Sequence, residues 1–80
     1  MQELDARLRK IFSELFRIEP AAISDDARRG ELEGWDSLGH LDLVSVLERE
    51  FGVSLDTDRA LEIESFADAK RVLRSLLADA

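Results

Sequence analysis

Asp36, Ser37 and His40 are the residues that could do chemistry within one short stretch, Leu32-Glu33-Gly34-Trp35-Asp36-Ser37-Leu38-Gly39-His40-Leu41. A loop ends at Gly34 and an apolar-periodic helix begins just past Asp36, which predicts Ser37 at a helix N-terminus, held towards solvent. The first backbone N–H groups of a helix lack partners, and its dipole presents positive charge there. Such a position favours a phosphate, so a hydroxyl fixed there could carry a phosphodiester. Asp and Ser in front of a helix ordinarily act as caps, and that is the plainer account of the pair.

Other chemistries fit poorly. Asp36, Ser37 and His40 would make a crowded triad, whereas triad members normally come from separate elements, with the histidine oriented by the acid. Gly34-Trp35-Asp36-Ser37-Leu38-Gly39 is not G-x-S-x-G, because its first glycine stands one residue too far from the serine. Asp56-Thr57-Asp58 could open a calcium loop only with glycine at the sixth position and glutamate at the twelfth. Those places hold Leu61 and Ala67. The chain has no cysteine, hence no thiolate chemistry, and its single histidine argues against a structural zinc site.

The elements that position Ser37 follow from apolar spacing. Leu4, Leu8, Ile11, Phe12 and Leu15 keep a 3.6-residue period and predict a first helix from Gln2 to Phe16. Residues 17–34 form a long connection with a helical turn near Pro20 to Ile23, tacked to the core by Ile23, Leu32 and Trp35. The second helix spans Ser37 to Phe51 and stops at Gly52. Its apolar residues, Leu38, Leu41, Leu43, Val44, Val46, Leu47 and Phe51, are too many for one stripe, so some should face the core while others stay accessible. Asp56 or Thr57 can cap a short third helix over 58–63, expected to be the most mobile. The fourth helix starts at Ser65, where Ser65-Phe66-Ala67-Asp68 is like a capping box with Asp for Glu. Gly39 within the first turns of the second helix costs up to about 1 kcal/mol relative to alanine. It either lets the long loop pack closely or leaves room beside Ser37. His40 reads most simply as a surface residue.

Composition sets limits. Eighty residues make a single domain over 1–80 with a modest core, burying about 60% of the unfolded surface. No apolar run approaches the roughly 20 residues of a membrane span. The N-terminus mixes apolar and charged residues, unlike a signal peptide. The expectation is a soluble, cytoplasmic monomer. The net charge is −7 and uneven: residues 24–64 hold twelve acids against four bases, while residues 1–23 balance. An acidic field around Ser37 argues against nucleic acid and suits partners with basic patches.

Gly34-x-Asp36-Ser37-Leu38, followed by a Leu/Val-rich helix ending Glu48-Arg49-Glu50-Phe51-Gly52, resembles the acyl carrier protein family. The resemblance runs from Leu4 to about Leu77. It implies an all-α four-helix bundle with a long first loop, a short third helix and antiparallel first and second helices. It implies a carrier, not an enzyme. Ser37, flanked by Asp36 and Leu38, would receive 4′-phosphopantetheine from a phosphopantetheinyl transferase that brings its own Mg²⁺. The arm would hold acyl or aminoacyl groups as thioesters for acyl-loading and acyl-transfer enzymes. Asp36, Asp42 and Glu48 resemble acidic positions shown to such partners, with Leu41 beside them, and cargo could enter near Leu41, Leu61 and Ile63. Arg49 and Ser45 depart from the family pattern, as do Gly39 and His40, which stand where fatty acid carriers have an acidic residue and threonine. The Gly-His form is more like discrete carriers of specialised pathways. Two other readings are a peptidyl or aminoacyl carrier, disfavoured by Asp before the serine, and a small interaction module in which Ser37 is only a cap.

Overall fold

In the computed structural model, which describes residues 2–78, the apolar residues of three helices, one long loop and the two links flanking a fourth, short helix meet around three aromatic rings. Helix α1 spans Gln2–Phe16, α2 Ser37–Phe51, α3 Thr57–Glu62 and α4 Phe66–Ala78. A single 3₁₀ turn, Pro20–Ala22, interrupts the connection between α1 and α2. The fold is all-α, and no strand forms among the described residues beyond one isolated bridge between Arg28 and Ser65.

The expected periodicities place the core. Leu8, Ile11 and Phe12 of α1, Leu43 and Leu47 of α2, and Phe66, Ala69, Val72 and Leu73 of α4 are buried. Phe12 lies at the centre, edge-on to Trp35 and to Phe66, with ring centroids 5.0 Å away in each case. Such edge-to-face pairs add to simple area burial. Helices α1 and α2 run antiparallel: Arg7 near the start of α1 donates to the Glu50 carbonyl near the end of α2, and Phe16 ends α1 beside Gly39 in the first turn of α2.

Residues 17–36 do not hang free, because they bury Ile23 and Trp35 completely or nearly so. Side chains reach out to hold the backbone. Arg9 donates to the carbonyls of Pro20 and Ile23 and pairs with Asp5 at 2.7 Å. Lys70 of α4 bridges Asp5 at 3.1 Å and Asp25 at 2.8 Å. The amides of Phe66 and Ala67 donate to Ala27 and Asp25 carbonyls, so the loop also occupies the N-terminal end of α4. Ser65 caps α4 by accepting from the Asp68 amide at 3.1 Å, but Asp68 reaches back to the Glu64 amide, one residue earlier than a capping box requires. α3 is capped by Asp56, whose carboxylate accepts from the Arg59 amide at 2.8 Å, and none of its own residues is buried.

Candidate functional site

Ser37 is the first residue of α2 and is exposed. Asp36 precedes it in extended conformation, and its Oδ1 accepts from the Gly39 amide at 2.9 Å. Asp36 therefore caps the helix and consumes the third amide of the turn. The first two, on Ser37 and Leu38, have no carbonyl one turn earlier in the helix to accept from them. Leu38 is 75% exposed. The serine oxygen thus stands in open space beside amides that favour an anion.

The loop that delivers Ser37 is tightly turned. Gly30 N–H donates to the Trp35 carbonyl, the amides of Glu31 and Leu32 to the Arg28 carbonyl, and Trp35 N–H to the Leu32 carbonyl. Gly34 takes φ 91°, a left-handed value that suits glycine. This turn presses on α2. A Cβ at Gly39 would lie 2.0 Å from the Gly34 carbonyl oxygen and 3.3 Å from the Phe16 ring. Of the two accounts of Gly39, close packing of the loop is the one observed.

His40 is not the surface residue that its sequence context suggests. Its side chain is buried against the loop and α3. Trp35 Nε1–H donates to His40 Nδ1 at 3.0 Å, with the rings nearly parallel. An indole nitrogen only donates, so Nδ1 is the bare nitrogen and Nε2 carries the proton. Nε2–H then donates to the Ala60 carbonyl at 2.9 Å. Arg29 Nη1 lies 3.2 Å from Nε2 and 3.4 Å from the Ile63 carbonyl. Two donors cannot bond each other, so the carbonyl is Arg29's partner. Burial pushes the His40 pKa below the ordinary 6.5, the Ala60 bond opposes this, and the Arg29 charge lowers it further. The lone tryptophan implies only that its indole N–H, if buried, needs an acceptor; that His40 supplies it is set by the way the loop folds back over α2.

Other expected site residues are placed unequally. Leu41 is 64% exposed and Leu61 56% exposed, whereas Ile63 is completely buried in the core. Asp42 is exposed on α2. Glu48 is half-buried, and its Oε2 accepts from the Leu55 amide at 2.7 Å, holding the α2–α3 link. Among the described residues no group of acids and histidines could hold a metal ion.

A family model described as "Phosphopantetheine attachment site" matches residues 6–73. The chain belongs to this phosphopantetheine-attachment family. Its similar relatives agree. An "Acyl carrier protein" of Treponema pallidum (strain Nichols) is 37% identical over 76 residues, covering 94% of this chain and 96% of the relative. One from Bradyrhizobium sp. (strain ORS 278) and one from Nitrobacter hamburgensis are each 36% identical over 73 residues, covering 91% of this chain and 92% of each relative. The family match disfavours the interaction-only module. The geometry also fits the group that this family attaches: an exposed hydroxyl at a helix N-terminus that favours the phosphate.

Proposed function

We propose that Ser37 Oγ is the attachment point of the 4′-phosphopantetheine arm and that the chain carries acyl groups between biosynthetic enzymes without catalysing any reaction. The observation that carries this is the exposed Ser37 hydroxyl at the first position of α2, next to the amides of Ser37 and Leu38. The bound arm supplies a terminal thiol, chemistry that a chain without cysteine lacks. The chain's own residues do the rest. Asp36 holds the first turn of α2 in place, and the turn at Gly34 offers the serine outward. Asp42 and the rest of the acidic middle segment steer basic partners, a transferase and acyl-handling enzymes, towards it. Leu38, Leu41 and Leu61 offer an apolar contact between those charges. Glu48, half-buried and bonded to the Leu55 amide, presents less of its carboxylate to a partner than Asp42 does. The acyl type of cargo is supported by the relatives' names, and a monomer working in the cytoplasm suits a carrier that visits several enzymes.

Incubation with a broad-specificity phosphopantetheinyl transferase, coenzyme A and Mg²⁺ should raise the intact mass by one phosphopantetheinyl group. Ser37→Ala should keep the helical circular dichroism and gain nothing. An unmodified wild-type chain would refute the proposal.

A further inference from the structure

The bond between Trp35 and His40 ties the loop to the helix it feeds. Trp35 stands two residues before Ser37, is completely buried, and has His40 Nδ1 as the acceptor of its indole N–H. His40 lies one turn after Ser37 and is anchored separately to α3 through Ala60. We propose that His40 is a positioning residue for Ser37: through Trp35 it holds the turn that presents the serine, and a proton on Nδ1 releases that hold. This rests on the carrier reading of Ser37 and deepens it, because it makes loading of the arm sensitive to pH.

The chemistry is one-sided. Protonation adds a hydrogen to Nδ1 and leaves Nε2–H on Ala60 intact. The link to α3 survives, while the indole faces a second donor inside the core. A buried donor stripped of its acceptor loses more than an ordinary hydrogen bond is worth. The charged group beside the ring is Arg29 from the loop, 3.2 Å from Nε2; Trp35 and the Ala60 carbonyl bring none. A new imidazolium therefore meets a like charge and, among the described residues, no carboxylate pairs with it. The turn around Gly34, packed against Gly39 and Phe16, is what the released Trp35 would disturb. A transferase that recognises the ordered turn would then find only part of the population competent. Its apparent affinity for the carrier falls by that fraction, while turnover of bound carrier stays the same.

The chain holds one tryptophan and one histidine, so both partners can be watched without labels at other sites. In wild-type protein, the NMR signal of the Trp35 indole N–H should shift with the same midpoint as the His40 ring titration, at a pH below 6.5. Loading kinetics with one transferase are compared across pH 5 to 8 for wild type, Trp35→Phe and His40→Gln. Neither variant can lose this bond to a proton, so the ratio of wild type to variant removes the transferase's own pH dependence. That ratio should fall about five- to tenfold on the acid side of the His40 midpoint, through KM and not kcat. A ratio that stays flat while loading proceeds, or an indole signal indifferent to the His40 titration, overturns the role given to His40 alone. Absence of any loading of wild type at pH 8 overturns the carrier reading beneath it. If either variant does not fold, the paired titration in wild type still decides.

Discussion

At the scale of single residues, Gly39 shows how a position can be chosen against its own element. Alanine would favour the helix by up to about 1 kcal/mol. Its Cβ, however, would lie 2.0 Å from the Gly34 carbonyl oxygen, a backbone atom that cannot rotate away. Overpacking of this kind costs roughly 1–3 kcal/mol, so the clash wins. Gly39→Ala should lower stability by up to about 2 kcal/mol in urea unfolding, the clash less the helix gain, and a variant more stable than wild type would show that the loop yields freely. Neither this nor the place of His40 was legible in the sequence, for one reason. Both depend on how residues 30–35 fold back over α2, and nothing in local spacing sets that. The exposed Ser37 was legible, because Asp36 and the apolar period after it mark a helix start by local rules alone.

The helices themselves are the part that local signals specify best. α1 and α2 have the bounds their apolar spacing predicts, and α3 is capped at Asp56, one of the two candidates. The stop of α2 is a clean case. Gly52 takes φ 65° and nothing lies within 4 Å of where a Cβ would stand. Gly52→Ala should therefore cost about 1 kcal/mol through backbone conformation alone, read as a lowered urea midpoint with an unchanged slope. Packing partners of exposed-looking acids were harder to foresee. Glu48 sits on a helix face that spacing leaves open, yet the link after α2 turns back and lays the Leu55 amide on it. Ile63 reads as part of an accessible apolar patch, but it follows the C-terminal end of α3, where the chain dives into the core before α4. These placements arise from chain reversals, and periodicity is blind to them.

Over the whole molecule, charge decides two behaviours. Partners drawn by the acidic segment 24–64 should associate more slowly as salt rises from 0.05 to 0.5 M, with dissociation changing less, as stopped-flow mixing with a transferase would show. Stability should also depend on pH with a definite sign. His40 titrates below 6.5 in the folded chain because it is buried, so the unfolded state binds the proton first. Its contribution is complete above about 6.5 and is lost as pH falls from there through the folded value. Asp5, held down by the Arg9 bond, and Asp68, where bonds from Arg71, Glu64 and Ser65 outweigh burial, add losses only below the ordinary 3.8. Lys70 is raised by its bond to Asp25 and then by Asp5, against burial, so its contribution is present below 10.5 and lost as pH climbs through the raised value. Between pH 7 and the isoelectric point near 4.6, general protonation relieves the repulsion of a chain carrying −7, which works against the His40 loss. A comparison with His40→Gln removes that shared background. Wild type should lose stability relative to this variant as pH drops from 7 to 5, and no further once His40 is protonated in both states. Thermal unfolding at half-unit pH steps would read the difference, and parallel curves for the two proteins would show that His40 is protonated equally in the folded and unfolded chain.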